Sequence, residues 1–334
     1  MTRAALLLAL AGLALATAFF AHAGFATIVS ALGIAGLGVV WASLLHVLPM
    51  ALNARAWQLL VGGGGGRGRS LPFFTWLVWV REAVNGLMPV ARVGGELATA
   101  RIMIQRGVRG PQAAASLVVD VTVCIATQLV FTMIGIAALA ARAPGGSLVR
   151  AASVALAASA PIVAILVVVL RTRTFEALGR IAHAIAGRRL ASVVGAGRRV
   201  DRATRAIYRR PARVARCAAW QLAGWMAGAA EVWALLAFLG HRVSPADAVV
   251  VEAVVQALSS AAFVVPGALG IQEAGFVAAG SALGLPAETA LALALGRRAR
   301  DVLVFVPALV VWQWQEARSL LGARRAGADG GARS

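Results

Sequence analysis

Two glutamates trail a proline at the same distance in otherwise apolar sequence. Pro89 is followed seven residues later by Glu96 in NGLMPVARVGGELATAR, and Pro266 seven residues later by Glu273 in AFVVPGALGIQEAGFVA. Gly94 and Gly95 fall between the first pair, Gly267 and Gly270 between the second, so each acid sits just past a helix break. A carboxylate in such a place can neutralise a guanidinium, carry a proton or hold a polar head group. Candidate partners surround both breaks: Arg81, Glu82 and Asn85 before the first and Asp120 after it. Glu252 and Gln256 precede the second, Gln272 adjoins Glu273, and Arg297, Arg298, Arg300 and Asp301 follow.

Arg81 and Asn85, Arg92 and Glu96, Glu252 and Gln256, and Arg297 and Asp301 are each four apart, hence on one helical face. Such pairs can fix helix register as well as bind a ligand. Ser116, Asp120, Thr127 and Gln128 form one further stripe. Gln221, Gly224, Gly228 and Glu231 form another, whose small residues point to helix packing. Arg81, Arg92, Arg297, Arg298 and Arg300 together suit an anionic head group, phosphate above all.

Other chemistry has little support. His22, His46, His183 and His241 are scattered without triad or metal spacing and read as incidental. Cys124 and Cys217 show neither ligand nor disulfide spacing, and no phosphate-binding loop is present. A non-enzyme without metal or cofactor is expected.

Composition decides which elements position these groups. The chain of 334 residues is 60% hydrophobic and 13% charged, with mean hydropathy +0.82, a balance that belongs to polytopic helical membrane proteins. Barrel-like alternation is absent, so helices carry the spans. Net charge is +19 and all 32 basic residues are arginine; in a membrane protein such charge marks cytoplasmic loops before it marks a nucleic-acid partner.

Runs of spanning length lie near 4–23, 27–52, 113–139, 148–170, 217–239 and 287–316. The start has the parts of a signal peptide, with Arg3 before an apolar core and Ala21-His22-Ala23 as a cleavage site; the length of the run favours a retained helix. Regions 71–106 and 246–285 are apolar but broken in the middle. If both dip into the membrane and return, six crossings remain and both termini lie in the cytoplasm. Every arginine-rich loop then does too, including 171–216 with 13 arginines against Glu176 and Asp201. Eight full spans would strand Arg92, Arg101, Arg106 and Arg109 outside. Segment 171–216 reads either as an interfacial helix that gathers anionic lipid or as a soluble connector.

The two broken regions also match each other. After each glutamate comes a short apolar stretch, then Gly107 or Gly284, then a span with an acid before valine, Asp120 or Asp301. With three spans between them, the copies at 71–139 and 246–316 would be inverted, an arrangement of secondary transporters whose substrate site lies where the copies meet. The expected architecture is an all-α polytopic integral membrane protein. It has about six full spans and two re-entrant helical hairpins in an inverted repeat, forming one domain over 1–318 before a disordered cytoplasmic tail, 319–334.

FVVPGALGIQEAG, GRRARDVLVFVPALVVWQWQEAR and RGVRGPQAAASLVVDVT resemble the lysylphosphatidylglycerol-synthase transmembrane, flippase-like superfamily. Within it they are most similar to the hopanoid-biosynthesis-associated HpnL membrane proteins. The family pattern falls on Pro266, Gly267, Gly270, Glu273, Arg298, Arg300 and Asp301; the acid in PVARVGGE departs from the hopanoid group. The resemblance implies a lipid-handling protein of the bacterial inner membrane that moves lipid across the bilayer, here without the soluble aminoacyl-transferase domain of two-domain members. Its expected partners are membrane lipids, a hopanoid or an anionic phospholipid, and hopanoid biosynthesis proteins. The alternatives are a non-transporting scaffold for those proteins and a lipid-modifying enzyme using Glu96, Glu273 or Asp301.

Overall fold

The computed structural model describes residues 36–61, 70–88, 94–142, 150, 154, 191–261 and 271–331. The expected span at 4–23, all of that at 148–170 but residues 150 and 154, the cleavage site, Arg92, and the break residues Pro89, Pro266, Gly267 and Gly270 lie outside them.

All regular structure among the described residues is helical. In chain order the helices are α1 (Leu37–Leu45), α2 (Val47–Val61), α3 (Leu71–Leu87), α4 (Gly94–Gln105) and α5 (Gly110–Arg142). They continue with α6 (Ala191–Tyr208), α7 (Pro211–Phe238), α8 (Pro245–Ala261), α9 (Ile271–Ala282) and α10 (Ala287–Gly331). Leu37–Val61 and Gly110–Ala141 are long and apolar enough to cross a membrane. The first corrects the expected span 27–52: helix continues to Val61 because ALNARAWQLLV holds its apolar periodicity past Asn53 and Arg55. α10 extends to Gly331, into the segment 319–334 expected as a cytoplasmic tail.

Local chemistry sets the ends of the two broken regions. Ser70 caps α3 by accepting from the Phe73 amide at 3.4 Å. α3 stops at Met88, extended at φ −108°, ψ 143°, the conformation favoured for a residue before proline. α4 and α9 have the same length, 12 residues. Both end on a left-handed glycine, Gly107 at φ 83° and Gly284 at φ 75°. Each closes the same double hydrogen bond: Gly107 to Ile104 and Val108 to Met103, both at 3.0 Å, against Gly284 to Ser281 at 3.1 Å and Leu285 to Gly280 at 2.9 Å. The second unit therefore repeats the first residue for residue through this stretch.

Both helix pairs fold back on themselves. Asn85, near the end of α3, holds the Gly95 amide at 2.9 Å, while Arg106 at the far end of α4 lies over the Phe73 ring near the start of α3. In the second unit Gly275 faces Leu258 and Val255, and His241, just before α8, meets Thr289 at 2.8 Å, just after α9. Hence α5 starts beside the start of α3 and runs with it, and α10 runs with α8. Between units the direction reverses: Gln128 of α5 donates to the Gln256 carbonyl at 3.1 Å, and Gly135, further along α5, packs on Val249 and Ala253, earlier in α8. Units α3–α4–α5 and α8–α9–α10 are antiparallel. They exchange contacts crosswise, since α10 returns to α3 through the Trp79 indole bonded to the Val304 carbonyl at 2.7 Å. That carbonyl lies beside the turn that Pro307 leaves short of one backbone donor.

Two apolar clusters hold this frame. One joins Trp57, Phe74, Leu77, Met103 and Phe305; the other joins Leu236, Val251, Phe276, Ala279 and Leu293. Gly224 lets α7 lie on α2, where a Cβ would come within 2.5 Å of the Asn53 amide oxygen. The outer faces are apolar too: Leu37, Trp41, Met133, Trp233, Val310 and Trp314 are exposed while Asp120, Gln221, Glu231, Glu252 and Arg300 are buried. Ionised groups inside and large hydrophobes outside suit a hydrocarbon surround, not water. α6 packs on α5, turning Asp201 and Thr204 inward and Arg198, Arg199 and Arg202 outward.

Candidate functional site

Each unit buries one ion pair between its first and third helices. Arg81 Nη1 of α3 donates to Asp120 Oδ2 of α5 at 2.6 Å. Gln221 of α7 holds the other carboxylate oxygen at 3.0 Å, and Arg81 lies 5.0 Å from the Trp57 ring centre. In the second unit Glu252 of α8 accepts from both terminal guanidinium nitrogens of Arg297 of α10, with Arg297 Nη2 to Glu252 Oε1 at 2.9 Å. Gln256 donates to Glu252 at 2.7 Å, the i,i+4 partner expected from sequence. Asp120 stands 24 residues after Glu96 and Arg297 stands 24 after Glu273, so these two occupy equivalent places with opposite charge. That corrects the pairing of Asp120 with Asp301. The equal lengths of α4 and α9 leave no room for an extra turn, and Asp301 lies one turn further on.

At the fold-back of each unit a glutamate is held by one partner. Asn85 donates to both oxygens of Glu96 at 3.2 Å, and Gly95 sits so close to the Arg81 carbonyl that a Cβ would come within 2.5 Å. Gly94 opens α4. Arg298 Nε donates to Glu273 Oε1 at 3.0 Å, while Glu273 Oε2 is buried without a hydrogen bond. Gln272 lies half-buried beside Glu273. The expected Arg297–Asp301 pair does not form, because Arg297 turns to α8 and Asp301 takes Arg300 Nη2 at 2.6 Å.

A third cluster joins the units to each other and was largely missed from sequence. Arg300 Nη1 donates to Glu231 Oε1 and Oε2 of α7 at 2.8 and 3.0 Å. His46, between α1 and α2, contacts Glu231 Oε2 at 2.9 Å and Glu82 Oε2 of α3 at 3.4 Å, and also touches Arg300. His46 looked incidental and the Gln221/Glu231 stripe looked like packing. One available signal was that Glu231 has no cation three or four residues away, so its partner had to come from another helix.

This geometry changes the electrostatic picture. Arg81, Arg297, Arg298 and Arg300 are each engaged by a carboxylate, and Arg92 lies outside the described residues. The guanidinium groups hold the frame before they hold any phosphate, and Glu82 and Glu96 lean on a histidine and an asparagine instead of a permanent cation. Among the described residues no group of His, Cys, Asp and Glu could hold a metal ion.

A family model described as the lysylphosphatidylglycerol synthase TM region matches residues 4–308. No curated protein and no solved structure matches. A family match over most of the chain, with ionised side chains enclosed by an apolar shell, makes this chain a membrane protein of the lysylphosphatidylglycerol synthase TM region family.

Proposed function

We propose that the chain is a flippase-like lipid transporter of a bacterial inner membrane, with both termini in the cytoplasm. The observation that carries this is the pair of antiparallel units whose charged groups meet at His46 and are held by α7 at Gln221 and Glu231. Helices α4 and α9, at 12 residues, rise about 18 Å, well short of the about 30 Å hydrocarbon core. They and their partners α3 and α8 are then re-entrant hairpins of an inverted repeat, a design that lets one unit rock against the other around a fixed polar centre.

Hopanoids remain the lipid class the HpnL resemblance points to, and the charge balance supports a neutral hydroxylated head over an anionic one. A phosphate would have to compete with carboxylates already in place on four arginines. In liposomes, the reconstituted protein should accelerate transbilayer exchange of a fluorescent polyol-headed hopanoid, and Glu273→Ala should slow it about tenfold, ~1.4 kcal/mol of barrier. Equal rates in empty and loaded liposomes would overturn transport.

A further inference from the structure

His46 interrupts the apolar stretch Leu37–Val61 with about 14 Å of helix on one side and about 22 Å on the other, so it sits at membrane depth. Every element packed on it brings a charge: Glu82 from α3, Glu231 from α7, and Arg300 with the adjoining Asp301 from α10; the Phe305 ring closes one edge at 5.7 Å. Three carboxylates against one guanidinium leave this cluster two charges negative with a neutral imidazole and one charge negative with an imidazolium.

The contacts of the ring cannot all be satisfied at once. Nδ1 touches both Arg300 Nη1, which only donates, and Glu231 Oε2, which only accepts. A bare Nδ1 accepts from Arg300 and leaves Glu231 without the imidazole; a protonated Nδ1 donates to Glu231 and must let Arg300 go. Nε2 is buried without a hydrogen bond, and Glu82 Oε2 waits at 3.4 Å. We propose that His46 is a proton-binding site that couples lipid movement to a transmembrane proton gradient. The inference rests on the transport reading. One proton adds to the Nδ1 lone pair from water on one side of the membrane and leaves to water on the other; no other covalent bond changes. Binding draws Glu82 and Glu231 toward the ring and turns Arg300 wholly to Glu231 Oε1 and Asp301. Because Glu82 belongs to the first unit and Arg300 to the second, the proton changes which unit the α1–α2 junction is bonded to.

The test has two arms. In the first, 15N-histidine NMR of the purified protein follows the four imidazoles, with His46 assigned by its loss in His46→Gln. Its nitrogens should change from neutral to imidazolium shifts between about pH 8 and about pH 5, and Glu82→Gln should move the midpoint down by about one unit, tenfold in proton affinity. In the second, an imposed proton gradient should speed lipid exchange several-fold in the wild type, and the ratio with and without gradient should fall to one in His46→Gln. His46 shifts fixed in one tautomer across that range, or a gradient response that survives His46→Gln, would overturn the coupling. Absence of exchange in the wild type rejects transport, while the NMR arm still decides the proton site. The remaining histidine signals report whether each variant is folded.

Discussion

Arg300→Ala is expected to cost about 3–5 kcal/mol of folding stability, the range for removing one partner of a buried ion pair. Arg300 is 3% exposed, satisfies both oxygens of Glu231, itself 5% exposed, and lies in ion-pair contact with Asp301. Alanine leaves the three carboxylates of Glu82, Glu231 and Asp301 in the His46 cluster without a guanidinium, and a cavity where it was. Glu231→Ala should cost less, because Arg300 keeps Asp301 at 2.6 Å. The double variant should fall well short of the sum of the two, since removing both members of a buried pair strands neither. Unfolding of the purified protein in mixed detergent measures all three. A loss under about 1 kcal/mol for Arg300→Ala would mean that water reaches the cluster freely and the pair is only a surface contact.

The second large effect concerns the pairs of opposite polarity. Unit one places arginine on its first helix and aspartate on its third; unit two places glutamate on its first and arginine on its third. If what each unit needs is one neutralised pair at that depth, the sign should be exchangeable. Glu252→Arg alone sets two guanidinium groups against each other and should abolish folded protein. Glu252→Arg with Arg297→Glu should recover at least half of the wild-type yield, with Gln256 now accepting through its amide oxygen from the new arginine. Yield of monodisperse protein reads both. A double variant no better than the single would show that the local surroundings, not the pairing, dictate the sign.

Much of this frame was legible in the chain itself. Met88 before its proline and the helix-ending glycines Gly107 and Gly284 act through backbone rules that need no tertiary context, so where α3, α4 and α9 end could be read directly. Glu252 with Gln256 was also within reach from its four-residue spacing, whereas Asn85 and Glu96 meet across a fold-back, where spacing had joined Asn85 to Arg81 and Glu96 to Arg92. Partners across helices were not. Nothing local tells Arg297 to prefer Glu252 over Asp301, because four-residue spacing permits the second and only the tertiary placement of Glu252 within reach of Arg297 decides for the first. His46 has no ionisable neighbour within four residues, and its three carboxylate and guanidinium contacts come from α3, α7 and α10. Glu231 was visible as an acid in an apolar helix; its surrounding glycines and alanines suggested close packing, which is also present.

The opposed insertion of the two hairpins is the claim on which transport depends, and cysteine labelling from either side of the membrane tests it most directly. Gln105→Cys and Ala282→Cys mark exposed positions at the last residues of α4 and α9, each nine residues after its glutamate. They are placed in a background where Cys124 and Cys217 are alanine. An impermeant maleimide applied to inside-out vesicles should react with position 105 and not 282, and applied to right-side-out cells with 282 and not 105. Labelling of both from the same face would contradict the inverted arrangement and, with it, the proposed route for lipid.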